Sequence, residues 1–197
     1  MKKILIGTHN EGKFREISFL LSKKIKKISP LKLMLKSPKE TGKTFESNAK
    51  LKANYFSKFV NFPVISDDSG LSIKCLGGKP GIYSARWAKK HGSFNKAMKF
   101  ILKKMNKTNN RSATFVCSLS IKWPNNKTIT VSGKVNGIIA KKIIGTKGFG
   151  YDPIFIPKGY DITFGEMDKK KKMLIDHRFK AFKKIIKNHM FDATGQL

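Results

Sequence analysis

Acidic side chains are scarce in this 197-residue chain: 12 Asp plus Glu stand against 42 Lys plus Arg, for a formal charge of +30. Arginine is scarce too. Arg15, Arg86, Arg111 and Arg178 are the only ones, and the other basic residues are lysine. Readers of nucleic acid favour arginine, whose planar fork grips phosphate and guanine with two bonds. Here the lysines are spread along the whole chain, as an A·T-biased genome would leave them, so no specific nucleic-acid partner is expected. A basic nucleic-acid-binding protein stays as the rival reading. The field still attracts anionic substrates. Cysteine is limited to Cys75 and Cys117, which excludes a disulfide scaffold and a four-cysteine zinc site and suits the cytoplasm. His9, His91, His177 and His189 form no zinc set. No apolar run reaches the roughly 18–20 residues that cross a bilayer, so no membrane partner is expected. The run Ile4-Leu5-Ile6-Gly7 is too short for a signal peptide. With 40% hydrophobic residues the chain is not disordered, and residues 1–197 read as a single domain.

Periodicity supplies the elements. Residues 3–8 read as a short buried strand, and residues 11–21 as a helix with Phe14, Ile17, Leu20 and Leu21 on one face. Thr44 is a candidate N-cap for a helix reaching about residue 60. A strand is expected over residues 64–67. Residues 113–121 alternate as a strand, and Ile129, Val131 and Val135 continue the period after Trp123-Pro124-Asn125-Asn126, which predicts an antiparallel hairpin. Residues 95–105 and 179–190 read as helices. Helices mixed with strands, at least one pair antiparallel, indicate an α/β or α+β fold with a mixed sheet.

Four segments can carry chemistry. Thr8-His9-Asn10-Glu11-Gly12-Lys13 joins a strand to a helix, whose first amides carry partial positive charge. They form either an anion site reinforced by Lys13 or an ordinary turn capped by Asn10. Asp67-Asp68-Ser69-Gly70 places two carboxylates at an expected strand end. A magnesium ion would relieve their repulsion, with Glu40 completing the oxygen set; a solvated turn is the alternative. Gly145-Thr146-Lys147-Gly148-Phe149-Gly150-Tyr151-Asp152-Pro153 offers close backbone approach, a stacking face and a carboxylate for a ring N–H, or else a rigid loop whose aromatics fill the core. Asp176-His177-Arg178 offers two donors for an anion or carbonyl, or a capped helix start. Together these are the parts that hold a nucleoside triphosphate with magnesium.

These blocks resemble the inosine triphosphate pyrophosphatase family, enzymes acting on non-standard purine nucleoside triphosphates. The resemblance is carried by Thr8-His9-Asn10 with Lys13, by Thr41-Gly42 with Thr44-Phe45, Asn48-Ala49 and Lys52-Ala53, and by Asp67-Asp68-Ser69-Gly70-Leu71. It continues through Leu76-Gly77-Gly78 with Pro80-Gly81-Ile82-Tyr83-Ser84-Ala85-Arg86, Gly148 to Phe155, and His177-Arg178. It implies an α/β fold with a long, mixed, curved sheet flanked by helices, two lobes with a central cleft, and a homodimer. It implies Mg2+-dependent hydrolysis of ITP, dITP and XTP to the monophosphate and pyrophosphate, which cleanses the nucleotide pool. By motif position Asp68 activates water, and Glu40, Asp67 and Asp68 hold the metal. Thr8, His9, Asn10, Glu11, Gly12, Lys13, Lys52, Ser69 and Lys172 contact substrate, and Phe149, Gly150, Tyr151, Asp152, His177 and Arg178 form the base pocket. Two features depart from the pattern: Asp176 stands where the family usually has serine, and Lys172 ends a run of four lysines.

Overall fold

The computed structural model describes residues 2–187. Its strands form one sheet in the order β2-β1-β3-β4-β5-β6. β1 (Lys3–Ile6) lies parallel to β2 (Lys26–Ile28) and to β3 (Val64–Ile73). Parallel neighbours need a crossover, and α1 (Glu11–Leu20) and α2 (Phe45–Ser57) lie in the two connections. β4 (Ser112–Lys122) and β5 (Thr128–Ile139) are the expected hairpin. Thr114 bonds Asn136 at 3.0 Å, Ser118 bonds Ser132 at 2.7 Å and Thr130 bonds Ser120 at 3.0 Å, so one strand's numbers rise as the other's fall. β6 (Phe155–Pro157) is antiparallel to β5, which makes the sheet mixed. The remaining helices are α3 (Ser84–His91), α4 (Phe94–Lys104), α5 (Lys169–Met173) and α6 (His177–Lys187).

The chain divides into two compact units: residues up to Asp68, Cys117–Gly133 and from Arg178 onward form the first, and Ser69–Val116 with Lys134–His177 form the second. Successive strand residues face opposite sides, and the first unit obeys this rule. Ile4, Ile6 and Ile65 pack with Ile17 of α1 and Phe182 of α6. Leu5 and Val64 pack on the other side with Phe56 of α2. In the second unit Leu71, Ile73, Ile101, Phe115, Phe155 and Phe164 share one core.

The expected strand end at Asp67-Asp68 is corrected by the structure: β3 continues to Ile73. Leu71 and Ile73 are fully buried, and that burial outweighs the turn tendency of Ser69-Gly70. α2 starts as the sequence indicates, with the Thr44 side chain accepting from the Ser47 amide and Ser47 Oγ accepting from the Thr44 amide, each at 3.0 Å. It ends at Ser57 rather than near residue 60. The helix expected from residue 179 begins at His177, and its expected end at Met190, like His189, lies outside the described residues. Among the described residues no helix is long and apolar enough to cross a membrane.

Candidate active site

In the first unit, the residues between β1 and α1 are spent largely on building their own turn. Asn10 caps α1, its Oδ1 accepting from the Lys13 amide at 3.0 Å, and Thr8 Oγ1 accepts from the Asn10 amide at 3.2 Å. His9 uses both ring nitrogens: Nε2 donates to the Leu35 carbonyl at 2.8 Å and Nδ1 accepts from Ser37 Oγ at 2.5 Å. Gly12 is buried, and Glu11 is exposed in the helix's first turn. What this turn sends toward β3 is Lys13.

The alternation of β3 gives its two adjacent acids different surroundings. Asp67 shares the side of Ile65 and meets α1 and α6. Lys13 Nζ lies 3.2 Å from Asp67 Oδ2, and Arg178 Nη2 donates to the same oxygen at 3.1 Å. The other arm of Arg178 donates to Glu16. Burial alone would raise Asp67, but Lys13, Arg178 and Lys52 outweigh it and hold the carboxyl well below the usual carboxylate range.

Asp68 shares the side of Val64 and meets α2. Asn48 Nδ2 donates to Asp68 Oδ2 at 3.1 Å, and Lys52, one turn further along α2, brings Nζ to 3.9 Å from Asp68 Oδ1 and 2.6 Å from Glu40 Oε1. Asp68 is raised to about 6: burial pushes it up most, Lys52 and Lys13 pull it down, and Glu40 and Asp67 add to the rise. Burial also works against the Lys52 charge, but Asp67, Asp68 and Glu40 prevail and raise its pKa. Gly42 lets the segment carrying Glu40 close on α2: its amide donates to Asn48 Oδ1 at 2.8 Å, and a Cβ there would come within 2.5 Å of that oxygen.

Glu40 and Asp68 thus flank one lysine on one side of β3, and Asp67, expected beside them, lies on the other side with two cations. Among the described residues no three His, Cys, Asp or Glu side chains are grouped to hold a metal ion. Magnesium usually takes one or two carboxylates together with water and substrate phosphates. Glu40 and Asp68 fit that requirement as hard oxygen donors on one side of β3. Asp67 meets Lys13 and Arg178 through one of its oxygens, Oδ2.

In the second unit the glycine-rich loop folds around Asp152. Asp152 Oδ2 accepts from the Phe149 amide at 2.8 Å and from Lys172 Nζ at 2.7 Å. Gly148 has φ +76°, and a Cβ there would lie 2.1 Å from the same oxygen, so only glycine fits. Asp168 caps α5 through the amides of Lys170 and Lys171, at 2.9 and 3.1 Å, and of the four-lysine run only Lys172 is buried. Its ammonium lies 4.8 Å from the Phe149 ring centroid. Phe149 and Gly150 are half-buried, whereas Tyr151 is buried with its hydroxyl donating to the Ser84 carbonyl at 3.0 Å. The Tyr151 ring therefore fills the core, as the alternative reading of this loop allowed. His177 stacks on Phe115 at 4.9 Å with the rings 9° apart. Ser69 is half-buried in β3 directly after Asp68.

The His177-Arg178 pair is split by the fold. His177 belongs to the second unit, while Arg178, read as a base-edge donor, turns its guanidinium to Glu16 and Asp67 in the first. Two polar side chains at the site carried no assigned role in the sequence: Glu16 lies in none of the quoted blocks, and Asn48 lies in the Asn48-Ala49 block without one. Glu16 comes three residues after Lys13 on α1, and Asn48 precedes Lys52 by four on α2; the available signal was a polar group at helical spacing on an inward face.

An acid–lysine corner in one unit, and an aromatic, glycine-bounded loop over a buried ion pair in the other, fit a nucleotide-handling α/β protein. The chain belongs to the Ham1 family, whose model matches residues 4–188. It is 46% identical over 192 residues to the dITP/XTP pyrophosphatase of Oceanobacillus iheyensis, covering 95% of this chain and 98% of that one. It is 42% identical over 192 residues to the dITP/XTP pyrophosphatase of Caulobacter vibrioides, covering 96% and 98%. Among solved structures it is similar to the Ham1 protein of Staphylococcus aureus, with a TM-score of 0.84 and 37% identity over 96% of this chain and 98% of that one. The Coxiella burnetii HAM1 protein gives 0.85 and 32%, over 96% and 99%. The fold is the mixed, curled sheet with flanking helices that the resemblance implied.

Proposed function

We propose that this chain is a nucleoside-triphosphate pyrophosphatase that hydrolyses ITP, dITP and XTP to the monophosphate and pyrophosphate. It acts as a single domain over residues 1–197 and a homodimer in the cytoplasm. The observation that carries the reading is the corner of Glu40, Lys52, Asn48 and Asp68, which sets a buried carboxylate raised to about 6 beside a lysine. The family and its dITP/XTP pyrophosphatase relatives support the substrate class. The homodimer rests on the resemblance, and the compartment on cysteine usage.

Glu40 and Asp68 would hold magnesium, which when bound neutralises phosphate charge and favours departure of the anionic leaving group. Asp68 accepts a proton at Oδ1 from a water directed at the α-phosphorus. The water oxygen bonds to that phosphorus, the bond to the bridging oxygen breaks, and pyrophosphate leaves with the electron pair. Asn48, bonded to Oδ2, keeps the carboxylate oriented, as a general base requires. Lys13 and the α1 amides stabilise charge on the phosphates.

The second unit supplies chemistry for a purine. The half-buried Phe149 ring, with Lys172 against it, offers a stacking face, and His177 is a donor suited to a carbonyl oxygen at C6. Adenine carries an amino group there and would leave such a donor unpaired, which is costly in a buried site. Phe149→Ala is expected to raise KM for ITP and XTP alike, by roughly 5- to 150-fold if stacking contributes about 1–3 kcal/mol. Steady-state kinetics check this, and an unchanged KM removes the stacking role.

The experiment for the whole reading is a panel of nucleoside triphosphates with Mg2+, scored for pyrophosphate and for orthophosphate. Pyrophosphate from ITP, dITP and XTP, well above that from ATP, is the expected result. Orthophosphate as the product, or preference for a pyrimidine, overturns the reading. Tight, salt-sensitive binding to DNA or RNA with no phosphate release would favour the nucleic-acid binder instead.

A further inference from the structure

α1 presents two ionisable side chains, three residues apart, to the same side of β3. Lys13 already has a proposed role in meeting the phosphates; Glu16 has none. Glu16 is 5% exposed, and a buried carboxylate demands a charged partner. That partner is the guanidinium of Arg178, which is itself fully buried. The second arm of Arg178 reaches Asp67 Oδ2 at 3.1 Å, and Lys13 Nζ reaches the same oxygen at 3.2 Å. Glu16, Arg178, Asp67 and Lys13 therefore stand in series with alternating charge, two negative and two positive. Of the four side chains Lys13 is the most exposed, at 16%, against 7% for Glu16 and none for Arg178 and Asp67. The series is anchored in the interior and opens at its lysine end.

We infer that Glu16 is a positioning residue for the phosphate-binding lysine, acting through Arg178 and Asp67 on where the Lys13 ammonium is held. Two cations share one oxygen of Asp67. Glu16 draws one arm of Arg178 to itself and so balances that guanidinium; without its charge, Arg178 and Asp67 pair as a unit and the hold on Lys13 changes. A purely structural ion pair tying α6 to α1 would also stabilise the protein, but it would act on turnover independently of Lys13. The inference rests on the proposed role of Lys13 in meeting the triphosphate, and it adds a residue to that site.

A double-mutant cycle separates the two. Glu16→Gln is expected to lower kcat/KM for ITP about tenfold in the wild-type background, and by less than twofold once Lys13 is alanine. The same cycle, read on the Kd of inorganic tripolyphosphate by calorimetry, needs no turnover and should show the same loss of effect. Equal factors in both backgrounds, by either readout, overturn the inference and leave Glu16 a structural residue. If the wild-type protein releases no pyrophosphate from ITP while the tripolyphosphate cycle is coupled, the proposed activity fails and the inference stands. Should thermal melting show that Glu16→Gln does not fold, Glu16→Asp takes its place: it keeps the charge but draws the carboxylate back from Arg178 by one methylene, so a loss smaller than tenfold that vanishes in the Lys13→Ala background supports the inference, and equal factors in both backgrounds overturn it.

Discussion

Asp68→Asn should lower kcat for ITP by roughly 100- to 10,000-fold while changing KM little, because it removes a proton acceptor and leaves the shape of the site intact. The amide is isosteric with the carboxylate, so Asn48 keeps a partner at that position, and Lys52 keeps its ion pair with Glu40 at 2.6 Å. What disappears is a buried carboxylate raised to about 6, proposed as the proton acceptor and as one of two carboxylates for magnesium. Burial is the main cause of that value, and Glu40 and Asp67 add to it. Steady-state kinetics on ITP, with tripolyphosphate binding as a control for the integrity of the corner, provide the check. A kcat within threefold of wild type would remove Asp68 from the chemical step. A large rise in KM with kcat preserved would make it a binding group only.

Arg178→Leu should be the most destabilising single change in the first unit. Its guanidinium is fully buried and is shared between Glu16 and Asp67, so truncation leaves two carboxylates in the interior without their common counter-charge. Breaking a buried pair by removing one partner costs about 3–5 kcal/mol, much of it the penalty on the group left behind. For a chain of this size that corresponds to a melting temperature lower by roughly 6–20 °C. Because the penalty falls on the abandoned acids, adding Glu16→Gln to Arg178→Leu should recover part of the loss instead of deepening it. Thermal unfolding of the two single variants and the double variant tests this. A single variant melting within 2 °C of wild type would mean that the buried charges are balanced by other groups.

Local patterns announced most of the elements: the Thr44 cap, the alternation of residues 113–121 and the inward face of α1 are each decided within a few residues. β2 and β6 escaped notice because three residues carry no usable period, and their place is set by pairing with β1 and β5. The extension of β3 past Asp68 was hidden for a related reason. Ser69-Gly70 looks like a turn until the core that receives Leu71 and Ile73 is known. The site was legible as a set of residue types but not as a set of partners. Asp67-Asp68 read as one paired acid site, yet strand geometry gives each acid different neighbours. His177-Arg178 read as two donors for an anion or carbonyl, yet Arg178 finds Glu16 and Asp67, which lie 162 and 111 positions away along the chain. Lys172 could be picked from its run only by position; Asp152 and the Phe149 ring then account for its burial.

The pleat of β3 ties the proposed catalysis to strand register. Deleting one residue between Val64 and Asp67 would turn the side chains beyond it over, handing the acid meant for α2 to the helices on the opposite flank and the reverse. The protein could keep every acid and every lysine of its site and still lose its reaction, because the base would then sit among the cations that silence its neighbour. Length within this short stretch is therefore as strict a requirement as the identity of the carboxylates themselves.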